Sequence, residues 1–365
     1  MTEAFINRIA TATPPHDVHD PFRRFGQHML RDDRRKLALF NRMADRSGIA
    51  HRYSFVQPDP GGAVTDVEGF YRAGAFPDTA TRMKKFEACA PGLAVEAAEK
   101  LLVGEDRSRI THVIVTSCTG LSAPGIDLEL IERCGLPSTC ERTMVGFMGC
   151  YAAINALKLA RHIVRSEPRA RVLAVNLELC TLHLHETEDL EEILSFLLFA
   201  DGCAAALVSA DPHGVEMKSF RAALVPDTRQ LIRWNIRQQG FDMVLSGGVP
   251  GAIRTALTNA RDDILGGAND IELWAVHPGG RTVLDAVEQA FALPPTALGA
   301  SRSVLNDYGN MSSGTVMFVL DRIMREASAG QNGRQNSGQN AGKNGCAMSF
   351  GPGLVAETMM FRMAA

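Results

Sequence analysis

One cysteine in this chain stands where a protein can make a thiol reactive. In Val145-Gly146-Phe147-Met148-Gly149-Cys150-Tyr151-Ala152-Ala153, two glycines allow a tight bend. An apolar helix then follows through Ala152, Ala153, Ala156, Leu157, Leu159 and Ala160. Cys150 at the start of that helix meets unpaired N–H groups and the positive end of the helix dipole, which favour a thiolate. A thiolate attacks acyl donors, and the reaction also needs a proton acceptor and donors for the oxyanion. His277 and Asn310 are placed to supply these. His277 follows the buried-strand pattern Ile271-Glu272-Leu273-Trp274-Ala275-Val276 and opens the turn His277-Pro278-Gly279-Gly280. Asn310 lies in Tyr308-Gly309-Asn310-Met311-Ser312-Ser313, ahead of an apolar helix predicted over 315–323. Singly, such a histidine packs in a core and such an asparagine closes a turn. Together with Cys150 they read as base and oxyanion donor.

The elements that hold these residues look duplicated. GFMGCYAAINALKLA in the first half and GNMSSGTVMFVLDRI in the second share a glycine turn, a small residue and an apolar helix. The strand and turn from Thr111 to Gly120 likewise match those around His277. Two pseudo-equivalent halves, 1–212 and 213–365, are expected to meet near the turn-forming Asp211-Pro212-His213-Gly214. Cys150 then sits on one half, and His277 and Asn310 on the other, facing a cleft between them. Roughly the first 80 residues are rich in charge and proline, and they read as an extension lying over the core, with Arg31-Asp32-Asp33-Arg34-Arg35-Lys36 as a solvated helical face. The Gly/Asn/Gln-rich segment 327–345 reads as a mobile loop without chemistry.

Composition narrows the class. The chain has 365 residues, 45% of them hydrophobic, enough for a large core. A net charge of −3 and the lack of a basic, aromatic-interleaved stripe argue against a nucleic-acid partner. There is no signal-like leader and no run of about 18 apolar residues, so no membrane span and a cytoplasmic location are expected. The 8 cysteines show no CxxC pairing and are read as reduced thiols. Cys180, His183 and His185 have a CxxHxH spacing, but no second ligand pair follows, so no metal is expected.

Val145–Ala153, His277–Gly280, Tyr308–Ser313 and Ser349-Phe350-Gly351-Pro352-Gly353 resemble, as a set, the type III polyketide synthases of the chalcone and stilbene synthase superfamily. The resemblance runs over about 6–361. It implies the α/β thiolase fold, a duplicated αβαβα five-layered core with an N-terminal helical extension. It also implies Cys150, His277 and Asn310 as the catalytic triad, Phe199 as the aromatic gatekeeper between CoA tunnel and reaction cavity, and a homodimer. Cavity walls carried over are Cys118, Thr119, Ser312, Phe350, Gly351, Pro352 and Gly353. The cavity departs from the plant members in three places: Met243 stands for a second gatekeeping phenylalanine, Trp234 stands for a glycine, and they carry a threonine near His183. Arg42 and Arg46 match two of three CoA-phosphate contacts, and Leu39 stands at the third, with Arg35 or Lys36 available one turn earlier.

The chemistry these residues support is acyl transfer from an acyl-CoA starter to Cys150, followed by decarboxylative condensation with malonyl-CoA. CoA thioesters are the substrates, and no further cofactor is expected. Met243 is flexible and apolar, and no charged group stands ready for an aromatic acid, which favours a fatty acyl starter. Bacterial-looking members with this pattern point to alkylpyrones or alkylresorcinols after two or three extensions. The alternatives are a malonyl-primed synthase making tetrahydroxynaphthalene or phloroglucinol, a ketoacyl-carrier-protein synthase, and an acyl-CoA binder without turnover. Thiolase is disfavoured because Cys346 does not lie in the motif of its second catalytic cysteine.

Overall fold

A computed structural model of the chain describes residues 2–61, 66–329 and 340–364. Nine strands of the described residues form one mixed sheet in the order Leu273–Val276, Asn344–Gly351, Val355–Met363, Val215–Leu224, Phe5–Ala12, Asp201–Ser209, Val172–Leu179, His112–Ser117, Glu141–Gly146. Most of these strands are buried on both faces, which is why they read as continuous apolar runs.

Alternation along the strands reveals the layers. In Val172–Leu179, Val172 and Ala174 enter one core, while Leu173, Val175, Leu177 and Leu179 enter another. In the other half, Ala275, Ala347 and Met359 join the first of these cores, whereas Trp274, Val276 and Met348 build a third. The shared core contains the helices Ala152–Ser166 and Thr315–Ala329. The outer cores are closed by Thr79–Leu101 on one side and by Val249–Asn259 with Arg281–Phe291 on the other. Both half-sheets therefore cover the same two helices, giving helix, sheet, helix, sheet, helix. The halves join through the pairs Phe5↔Glu216 and Ile6↔Val215, and the sheet must fold there to wrap the central layer. The sequence echo lands on that layer, and each of its two helices is entered by a tight turn, Gly149–Tyr151 or Ser312–Gly314.

Three sequence expectations change. The first residues do not simply lie over the core: Phe5–Ala12 is a central strand, and only the helices His19–Met29 and Arg34–Asp45 form the covering extension. Asp33 caps the second of these helices by accepting from Arg35 and Lys36 backbone N–H groups, so Arg31 and Asp32 precede the helix. Segment 327–345 is not all loop, since the central helix runs to Ala329 and a strand begins at Asn344; residues 330–339 lie outside the described residues. No helix of the described residues is long and apolar enough to cross a membrane.

Candidate active site

Cys150, His277 and Asn310 open on one cleft of about 610 Å³. The cysteine lies in the tight turn just ahead of the first central helix, where Phe147 and Gly149 have positive φ. Gly149 is needed for a second reason, because a Cβ there falls 2.4 Å from Pro352 Cδ. Gly351 is its counterpart: a Cβ there meets the Tyr151 ring at 2.6 Å. The Phe350–Gly353 loop thus packs directly on the Cys150 turn, with Phe350 and Gly351 lining the cleft. Pro352 faces the chamber beyond Cys150, and Gly353 lies behind, its N–H donating to the Ile232 carbonyl.

Asn310 is fixed through both faces of its amide. Its Oδ1 accepts from Ser312 N–H at 2.9 Å, and its Nδ2 donates to the Gly279 carbonyl at 3.3 Å, which ties it to the His277 turn. Its backbone pairs with the segment carrying Phe199: Asn310 N–H donates to Leu198 O, and Ala200 N–H donates to Asn310 O. Phe199 lines both the cleft and the chamber. Both ring nitrogens of His277 are buried without a hydrogen-bond partner among the described residues. Two donors or acceptors left open in a dry cleft are available to a substrate.

Burial works against the thiolate that the turn was expected to favour. Burial pushes the Cys150 thiol up to about 12, with Ser312 Oγ donating to its sulfur at 3.7 Å as a partial offset. Burial likewise holds the His277 imidazole down to about 3. Desolvation penalises both charged forms, and no Cys150–His277 hydrogen bond offsets it.

Beyond Cys150 the chamber is narrow, about 20 Å³. Cys118, Thr119, Trp234, Met243 and Ser312 line it. Trp234 and Met243 are cross-strand partners in the hairpin Ile232–Arg237 and Gly240–Leu245, and Trp234 Nε1 donates to the Cys118 carbonyl at 2.6 Å. His183 stands behind this wall, stacked on Phe241 with ring centroids 4.0 Å apart and edge-on to Trp234. Its Nδ1 accepts from Phe241 N–H, so Nε2 carries the proton given to the Thr119 carbonyl. His185 pairs with Glu192. Both imidazoles are thereby engaged away from Cys180.

The residue that sequence reasoning missed is Glu178. It is fully buried and receives Cys118 N–H, Thr119 Oγ1 and Ser313 Oγ at 3.0, 2.9 and 2.6 Å. Cys118 Sγ, 3.3 Å from Glu178, is also 3.4 Å from Ser312 Oγ, so a polar chain runs from this carboxyl to Cys150. Burial raises its pKa, with those hydrogen bonds pulling the other way. The available signal was a single acid in the apolar strand Val172–Leu179.

Arg42 and Arg46 line the same cleft, with Leu39 and Met43 exposed beside them. Lys36 instead reaches the Glu188 carbonyl, and the cation that joins the two arginines is Arg281, which donates to the Arg46 carbonyl at 3.3 Å. It begins the helix after His277-Pro278-Gly279-Gly280. A further apolar pocket of about 100 Å³ lies behind the chamber wall formed by Cys180, Phe196 and Phe199, enclosed by Phe22, Phe25 and Phe76.

Two family models cover this architecture: chalcone and stilbene synthases, N-terminal domain, over residues 2–212, and the corresponding C-terminal domain over 216–365. The chain belongs to the chalcone and stilbene synthase family. Members of this family are polyketide synthases, acyltransferases that use malonyl-CoA and acyl-CoA substrates. Among its relatives, bisdemethoxycurcumin synthase of Oryza sativa subsp. japonica is 32% identical over 98% of this chain and 92% of its own length. The crystal structure of PKS-I from the brown alga Ectocarpus siliculosus superposes with a TM-score of 0.88 at 27% identity, covering 100% of this chain and 99% of that one. The C-terminal type III polyketide synthase domain of Steely1 from Dictyostelium has the same fold, with a TM-score of 0.87 at 23% identity over 100% of both chains. This type III polyketide synthase therefore has the thiolase-like architecture that its motifs implied.

Proposed function

We propose that this type III polyketide synthase condenses malonyl-CoA onto a fatty acyl-CoA starter held on Cys150, and cyclises the product to an alkylpyrone or alkylresorcinol. The observation that carries the reading is the convergence of Cys150, His277 and Asn310 on one cleft with Arg42, Arg46 and Arg281. Cationic groups at a cleft suit a nucleotide thioester, while the apolar walls suit its acyl arm. In the first step Cys150 Sγ attacks the thioester carbonyl as His277 takes its proton, and CoA leaves with that proton returned. In the second step malonyl-CoA loses carbon dioxide, and the electron pair of the broken bond enters an enolate whose oxygen faces Asn310 Nδ2 and His277. The enolate carbon attacks the acyl-Cys150 carbonyl, and the sulfur leaves. Stabilisation of the enolate by these donors calls for no metal or further cofactor, and the enzyme is taken to act as a cytoplasmic homodimer.

The tail of the starter needs room that the chamber lacks, and the pocket behind Cys180, Phe196 and Phe199 offers it. A second reading rests on the same narrowness. Trp234 leaves about 20 Å³ beside Cys150, which suits malonyl priming and a small aromatic product. The test is mass spectrometry of products from malonyl-CoA with a ladder of acyl-CoA starters from acetyl to about twenty carbons, beside Cys150→Ala. Products whose mass tracks the starter support the first reading. Product from malonyl-CoA alone supports the second, and no product with any starter overturns both.

A further inference from the structure

A cation lies buried directly behind the gatekeeper. Arg52 is 1% exposed, and none of its side-chain hydrogen bonds among the described residues goes to a carboxylate. Its Nη1 donates to the carbonyls of Phe196 at 2.9 Å and Phe199 at 2.5 Å, its Nε donates to His19 Nδ1 at 3.3 Å, and its guanidinium lies 4.8 Å over the Phe22 ring. Burying a guanidinium without a hydrogen-bonded carboxylate is costly unless its donors are satisfied, and Nη1 is satisfied by the Phe196 and Phe199 carbonyls. Those carbonyls belong to one turn, 196–199. Between them, the Leu198 carbonyl accepts from Asn310 N–H at 2.8 Å, and Ala200 N–H donates back to Asn310 O at 2.9 Å.

The aliphatic stem of Arg52 acts on the same place from the other side. Gly309 has φ +68, and a Cβ there would fall 2.7 Å from Arg52 Cγ and 2.9 Å from the Leu198 carbonyl. The residue before Asn310 is thus pressed between Arg52 and the turn that Arg52 holds. We propose that Arg52 is a positioning residue that sets the Phe199 turn and Asn310 in register, and so serves the decarboxylation of malonyl-CoA rather than the loading of Cys150. The inference rests on the Cys150, His277 and Asn310 reading above. It predicts a split between half-reactions, because the Arg52 side chain bonds to His19, Val18 and the 196–199 turn, and Gly309 packs on Arg52 and Leu198, with none of these contacts made to the Cys150 turn.

The experiment compares wild type, Arg52→Lys and Arg52→Met in three measurements: thermal unfolding, the iodoacetamide alkylation rate of Cys150, and carbon dioxide release from malonyl-CoA without a starter. For folded Arg52→Met, alkylation should stay within about twofold, while kcat for decarboxylation falls about 10- to 100-fold at little change in KM. Arg52→Lys should recover part of that loss, since an ammonium can still reach one of the two carbonyls. If Arg52→Met does not fold, Gly309→Ala reads the same contact with the cation retained and should show the same selective loss. Proportional loss of alkylation and decarboxylation, or loss of neither, would overturn the proposal and leave Arg52 a structural residue. Wild-type protein that alkylates but releases no carbon dioxide would instead overturn the functional reading beneath it.

Discussion

The cleft and the chamber meet at Cys150 and differ about thirtyfold in free volume, roughly 610 against 20 Å³. The cleft has exposed arginines at its mouth and an unpartnered histidine in its depth. The chamber is closed by aromatic rings and by polar groups that already satisfy one another: Trp234 with Cys118, His183 with Thr119 and Phe241, Glu178 with Cys118, Thr119 and Ser313. Open partners mark the place where chemistry waits for a substrate, and saturated partners mark a wall that selects by shape. Catalysis and selection are therefore separable by mutation.

The largest effect should come from the cleft. Asn310→Ala removes one enolate donor, a loss of about 2.7–4 kcal/mol in barrier, so decarboxylation should drop by roughly two to three powers of ten in steady-state assays. A drop under tenfold would transfer that role to His277. On the chamber side, Trp234→Gly should leave Cys150 alkylation alone and shift the preferred starter or product mass upward, read by mass spectrometry over the starter ladder. Unchanged products would mean the chamber does not select. Alkylation of Cys150 should climb with pH through about pH 9 without levelling near neutrality, because burial holds the thiol at about 12 and each proton lost creates the reactive form. A plateau already at about pH 6 would show that a thiolate–imidazolium pair forms in solution. The smallest change belongs to the cleft mouth: Arg46→Ala should raise KM for CoA thioesters about two- to fivefold and leave a short N-acetylcysteamine thioester unaffected.

The sequence made the convergence of Cys150, His277 and Asn310 legible because each is announced by local rules: glycines that bend a chain, apolar periods that follow, and strand ends that deliver a side chain. The same reasoning exposed the central helices through their echo. It misplaced Phe5–Ala12 because Asn7 and Arg8 interrupt its apolar run, and only the fold shows Asn7 Nδ2 satisfied by the Asp211 and His213 carbonyls. Glu178 stayed hidden for a related reason, since its donors come from residues about 60 and 135 positions away along the chain. The burial that works against the Cys150 thiolate was not legible, because desolvation depends on how tightly the walls close. A helix dipole can be read from a motif, but a cavity cannot.

The placement of Phe5–Ala12 also shapes how the chain must assemble. Phe5 pairs with Ser209 on one side and Glu216 on the other, so this strand has no sheet to join until residues about 200 positions further along have been synthesised. Pairings this distant in sequence carry a large loop-closure cost and slow folding. The first half-sheet can form its strand pairs among residues 112–209 beforehand, and the amino-terminal strand then docks as a late seam. On a ribosome, that seam closes only as the second half emerges, which couples completion of the catalytic cleft to the arrival of the strand that joins the two halves.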